Sequence, residues 1–143
     1  MEEEIIVERI ERVLEKIKEL AIEGIPILVE GKKDEEVLRN FGIEGKIIRI
    51  SQQSLNTLVD KLYRYRRVLI LTDFDKKGEK IAKTLSSLLE KEGIIPIYEI
   101  RNKFKYALAG QVSCIEGIGK TLLRLNKRNL VFGGANIGRK ERI

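Results

Sequence analysis

The chain reads as an α/β domain, a Rossmann-like, four-stranded, mostly parallel sheet with helices on both faces. Three observations carry that reading. After an opening helix, short apolar runs alternate with longer segments whose apolar residues recur at helical spacing, in the order β-α-β-α-β-α-β. The strand segments are almost continuously apolar, as strands covered on both faces must be. Glycines stand where helical patterns stop, at Gly24 and Gly93. Right-handed crossovers are expected to join the strands. With 143 residues, 43% of them hydrophobic, the chain fits a single domain, 1–143, with a sizeable core.

Residues 4–22 place Ile6, Ile10, Val13, Leu14, Ile17 and Leu20 at helical spacing. Ile25 to Val29, opened by Pro26, is a short buried strand. Residues 33–41 read as a helix through Val37, Leu38 and Phe41, and Lys46 to Ile50 as a second strand. Residues 54–65 give a helix through Leu55, Leu58, Val59 and Leu62. Arg67 to Thr72 contains Val-Leu-Ile-Leu, the most marked buried strand. Residues 77–91 form an amphipathic helix through Ile81, Ala82, Leu85, Leu88 and Leu89, and Ile94 to Ile100 forms a fourth strand. The core so drawn spans 24–101, with the helix 4–22 before it and a basic extension, 102–143, after it. In that extension the pattern weakens. Residues 103–115 are basic and mixed, 119–126 read as a short helix, and 133–140 as a basic tail.

Composition narrows the chemistry. The chain has no histidine and one cysteine, Cys114. A zinc site and the usual Ser-His-Asp or Cys-His nucleophile systems are therefore excluded. Carboxylates, lysines, tyrosines or a hard metal ion remain. The lone cysteine cannot form an internal disulfide, so a reducing, cytoplasmic setting is expected. Cys114 itself reads as a small buried side chain. No apolar run approaches the length of a membrane span, and the acidic, helical N-terminus is not a signal peptide. The net charge of +6 is unevenly placed. Residues 1–23 hold 4 basic and 8 acidic side chains, and residues 101–143 hold 10 basic and 2 acidic ones. A basic C-terminal third points to a polyanionic partner, nucleic acid first; a solvated surface is the plainer alternative.

Ligands of parallel sheets bind beyond the carboxyl ends of the strands, and two strands here end in acids. The first continues into Glu30-Gly31-Lys32-Lys33-Asp34 and the third into Thr72-Asp73-Phe74-Asp75-Lys76-Lys77-Gly78-Glu79. Residues i and i+2 of an extended segment point to one side, so Asp73 and Asp75 can aim at one point while Phe74 turns into packing. Two carboxylates that close repel unless a cation lies between them or one is protonated. Mg²⁺ suits them, because it takes one or two carboxylates together with waters and substrate phosphates. Gly31 and Gly78 would let the backbone approach a ligand, and Lys32, Lys76 and Lys77 sit where phosphate needs neutralising. The plainer reading of each acid is a loop or helix-cap residue.

These two segments resemble the Toprim family, the catalytic domain shared by bacterial-type primases, topoisomerases and small nucleases. Its first motif is a strand followed by Glu-Gly, here Glu30-Gly31 with Asp34 close behind. Its second is a strand followed by Asp-x-Asp, here Asp73-Phe74-Asp75 with Gly78-Glu79. The resemblance implies that Asp73 and Asp75 bind Mg²⁺, and that Glu30 acts as general acid or base and shares the metal. One or two ions are implied, with Mn²⁺ as a substitute. Lys76-Lys77 departs from the Arg-Glu usual in type IA topoisomerases. The chain looks most like small stand-alone Toprim proteins, including the corresponding part of ribonuclease M5. A magnesium-dependent nuclease, a hydrolase acting on RNA or DNA, is the function so implied. Primase-like nucleotidyl transfer and a non-catalytic nucleic-acid-binding module are the alternatives.

Four further features call for a reading. Arg101, Lys103 and Lys105, with Tyr106, follow the fourth strand and are expected as surface cations with a stacking aromatic near the metal, with a solvated loop and a core tyrosine as the alternative. Tyr63 and Tyr65 read as packing residues. Gly119-Lys120-Thr121 is not a P-loop, because Cys114 stands where that motif needs glycine. The stretch from Ile115 to Leu123 resembles instead the hairpin of a helix-hairpin-helix element, whose amides contact phosphate, with a closing glycine turn as the alternative. The acidic first helix could dock a protein partner or a second copy, or simply cover its own sheet.

Overall fold

A computed structural model describes residues 2–107 together with 117, 118 and 120. The elements are α1 (Glu2–Ile22), β1 (Ile27–Val29), α2 (Lys32–Asn40), β2 (Ile47–Arg49), α3 (Leu55–Lys61), β3 (Arg67–Leu71), α4 (Lys76–Lys91), β4 (Ile95–Ile97) and α5 (Glu99–Ala107), with a 3-10 turn at Ile50–Gln52. The four strands form one sheet in the order β2-β1-β3-β4. Every pairing is parallel, with Ile27 opposite both Ile47 and Leu69, and Arg67 opposite Ile95.

The alternation of side chains along each strand divides the interior in two. Ile27, Val29, Leu69, Leu71 and Ile97 face a core completed by α1, α2 and α5. Leu28, Val68 and Ile70 face the opposite core, completed by α3 and α4. The strands are short, yet Ile27, Leu28, Val29 and Val68 to Leu71 are all fully buried. The near-continuous apolar runs thus have their expected cause, helices on both faces.

The principal departure lies after the third crossover. The strand expected from Ile94 to Ile100 is confined to Ile95–Ile97, and α5 starts at Glu99. Ile100, Phe104 and Ala107, at helical spacing, bury themselves against the first core. Charged residues among them masked this period in the sequence. Tyr63 also departs from its reading: it is largely exposed, whereas Tyr65 packs on the second core. The expected helix 119–126, the glycine hairpin, Cys114 and the tail 133–140 lie outside the described residues, apart from Gly117, Ile118 and Lys120. Ile118 is buried in the core shared by α1 and α5.

Candidate metal and phosphate site

The strand order places the site before any side chain is considered. From β1 the chain crosses to β2 on one side, and β3 pairs on the other side of β1. Between β1 and β3 the connections diverge, and a crevice opens beyond the strand ends at such a switch point. Val29 and Leu71, the last residues of these strands, are register partners. Glu30 and Thr72 therefore emerge side by side, with Asp73 one residue further on.

The two acid-bearing segments meet directly. The Asp73 N–H donates to Glu30 Oε2 at 2.9 Å, and the Glu30 carbonyl accepts from the Ser51 N–H beyond β2 at 3.1 Å. Both Glu30 and Asp73 are half-buried, and Asp75 is exposed. Asp75 is the N-cap of α4: its Oδ1 accepts from the Gly78 N–H at 2.7 Å. Asp34 likewise turns back, its Oδ2 accepting from the Gly31 N–H at 3.0 Å. Asp34 thus organises the first turn of α2.

The two glycines beside the acids differ in what surrounds them. A Cβ on Gly78 would stand 1.9 Å from the Asp73 carbonyl oxygen, so this position closes the loop onto itself and does not open it to a ligand. The Thr72 hydroxyl tightens the same loop by donating to the Gly78 carbonyl at 2.8 Å. A Cβ on Gly31 would meet nothing within 4 Å, so that backbone faces open space.

Beneath the loop lies a residue whose expected place was the surface. The Arg101 side chain is fully buried. Its Nε donates to the Thr72 carbonyl at 3.0 Å, its Nη2 to the Asp73 carbonyl, and its Nη1 to Glu79 Oε2 at 2.7 Å. Its guanidinium also lies over the Phe74 ring, 5.7 Å from the centroid, while Phe74 packs into the core as expected. Arg101 therefore clamps the backbone that presents Asp73 and is not a surface phosphate ligand. Burial alone would raise the Glu79 carboxyl, but the hydrogen bonds and charges of Arg101 and Lys105 outweigh it and hold Glu79 below its ordinary pKa. Glu79 also accepts from the Tyr98 hydroxyl, whose pKa is raised by burial and by that carboxylate. In the sequence only the place of Arg101 on the inward side of the Ile100–Phe104 helical period hinted at this network.

The remaining cations divide. Lys76 and Lys77 are exposed in the first turn of α4, beside Asp75. Lys32 is exposed in the first turn of α2, 4.0 Å from Glu36. Lys105 pairs with Glu79 at 3.3 Å. Lys103 lies on a groove between α1 and α5.

The donors at the switch point are carboxylate oxygens, the kind a hard cation takes. Among the described residues no three aspartate, glutamate, histidine or cysteine side chains form a group that could hold a metal ion. Glu30, Asp73 and Asp75 nonetheless offer carboxylate oxygens at the strand ends, and Mg²⁺ takes as few as one or two carboxylates when substrate phosphate and water supply the rest.

The fold and its strand-end acids define a class: a parallel α/β domain with Glu30 and Asp73 in contact at the β1/β3 switch point. The chain belongs to the Toprim domain family, whose model matches residues 25–104. That family works on nucleic acids with metal-dependent chemistry, and its domains generally bind Mg²⁺. The chain is 37% identical over 112 residues to a UPF0292 protein of Methanosarcina barkeri, covering 78% of each chain. It is 47% identical over 83 residues to a UPF0292 protein of Thermococcus gammatolerans, covering 58% of this chain and 62% of that one. A solved structure of a protein from Aquifex aeolicus aligns with a TM-score of 0.66 at 29% identity, over 75% of this chain and 95% of the other. Among the described residues no helix is long and apolar enough to cross a membrane.

Proposed function

We propose that this chain is a Mg²⁺-dependent enzyme of the phosphodiester bond, a small Toprim nuclease acting on RNA or DNA. The observation that carries the reading is the bond between the Glu30 carboxylate and the Asp73 amide at the β1/β3 switch point. It brings the acids of both motifs to one crevice.

In this reading Asp73 and Asp75 hold the cation, and Glu30 borders it. The bound ion would supply Lewis-acid stabilisation of charge on the phosphate. Glu30 moves the proton, taking it from the attacking water or returning it to the leaving oxygen. Lys32, Lys76 and Lys77 hold the flanking phosphates, and the open face of Gly31 leaves room for the backbone. Arg101 keeps the Thr72 and Asp73 carbonyls fixed, which positions the acid without touching substrate.

The test is cleavage of labelled structured RNA and of single- and double-stranded DNA with Mg²⁺ or Mn²⁺, beside Asp73→Asn. Cleavage that requires metal and disappears in the variant supports the nuclease and identifies its substrate class. Metal-sensitive binding without cleavage overturns it in favour of a binding module. Incorporation of labelled nucleotide on a single-stranded template would favour nucleotidyl transfer instead.

A further inference from the structure

The first helix carries its charges in stripes. Arg9, Arg12 and Lys16 stand at i, i+3 and i+7, within about 60° of the helix circumference. Glu4, Glu8, Glu11, Glu15 and Glu19 form a separate stripe beside them. The basic stripe adjoins the apolar one that buries Ile6, Ile10, Val13 and Ile17, so it borders the seam where α1 meets α5. That seam opens into a groove of about 480 Å³. Val13, Ile100 and Ala107 contribute its apolar lining, and Arg9, Arg12, Lys16, Lys103 and Tyr106 its charged and aromatic side chains.

These cations are available to a ligand. Arg9 and Lys103 make no ion pair among the described residues. Arg12 pairs with Glu8 at 2.7 Å and Lys16 with Glu19 at 3.8 Å, on side chains at least half exposed. Such surface pairs are weak and exchange readily for a phosphate. Tyr106 is 78% exposed, although a ring that size ordinarily covers apolar surface. The sequence that follows, residues 108–143, carries 7 basic and 2 acidic side chains. It has the same sign as the groove, so charge does not favour it as the occupant.

We infer that the α1/α5 groove is a second nucleic-acid site, which holds a single-stranded segment by its phosphates and stacks a base on Tyr106. The chemistry is that of single-strand binding surfaces, which combine a basic track with an exposed aromatic and need no sequence readout. Helix α5 links the groove to the metal site: Arg101 and Lys105 reach the Asp-x-Asp loop and Glu79, while Lys103 and Tyr106 line the groove. Lys103 thus leaves the metal-site cations and gains a place in this surface. The inference takes from the proposed function only nucleic acid as the partner.

The experiment is fluorescence anisotropy of the full chain with a labelled single-stranded oligonucleotide, across a salt series and with divalent ions chelated. The wild type should bind with log affinity falling linearly in log salt. Arg9→Ala/Lys103→Ala should bind more weakly, with a slope smaller by about 0.7 for each phosphate it no longer neutralises. Tyr106→Ala should weaken binding roughly 5- to 150-fold and leave the slope unchanged. Arg9→Lys/Lys103→Arg should retain the slope. Lys83→Ala/Lys91→Ala, on exposed positions of α4 across the sheet, should bind as wild type. All these side chains are exposed, and unchanged melting temperatures would show the fold intact. Groove variants that bind like wild type, an α4 variant as weak as they are, or a wild type that does not bind would each overturn the inference. Because no metal is present, failure of cleavage leaves this result standing, and cleavage with unaltered binding in the groove variants removes the groove alone.

Discussion

Asp75 caps α4 through the Gly78 amide and also belongs to the acid pair proposed to hold metal. Substitution separates the two roles, because asparagine caps a helix as well as aspartate does whereas alanine does not. Asp75→Asn should keep the wild-type melting temperature and lose divalent-ion affinity, while Asp75→Ala should lose that affinity and about 1 kcal/mol of stability as well. Thermal melts and metal titration of both variants check this. Glu79 gives a prediction in pH. Arg101 and Lys105 hold its folded pKa below the ordinary value, so on acidification the unfolded chain takes up the proton first. The stability it contributes is complete above the unfolded pKa and is lost as pH falls through the folded one. Glu79→Gln should therefore flatten the acid limb of stability against pH; an acid limb identical to wild type would show that Glu79 does not contribute to it. The acids were legible in the sequence because strand-ending Glu-Gly and Asp-x-Asp are local patterns. Arg101 was not, because its partners, Thr72 and Glu79, are separated from it by 29 and 22 residues.

At the scale of elements, the apolar periods located every strand and the first four helices. The strands are recognisable because helices cover both faces, which forces apolar residues onto both sides of β1 and β3. The fifth helix escaped notice for a physical reason. Its inward positions include Arg101, whose charge is neutralised by Glu79 and by backbone carbonyls, so a buried site reads as polar. Phe104, fully buried, anchors that helix and meets Phe74 with ring centroids 6.4 Å apart. Phe104→Ala should cost about 3–5 kcal/mol of unfolding free energy, measured by urea denaturation. A loss below about 1 kcal/mol would mean that α5 does not belong to the core.

For the whole molecule, the sequence showed the alternation of strands and helices but not the lateral order of the strands. Order is a long-range property: no local pattern tells β3 to pair with β1 and not with β2. That order puts the Glu30 and Asp73 segments on either side of one switch point, and it makes a site of two distant motifs. The groove between α1 and α5 was hidden in the same way, since Arg9 and Lys103 lie far apart in the sequence. The central claim is that the switch-point acids hold a divalent cation, and Mn²⁺ binding followed by electron paramagnetic resonance tests it most directly. The wild type should remove free Mn²⁺ signal saturably, with Mg²⁺ in competition, and Asp73→Asn should lose that binding while melting as wild type. Equal Mn²⁺ binding by the wild type and a folded Asp73→Asn variant would contradict the account.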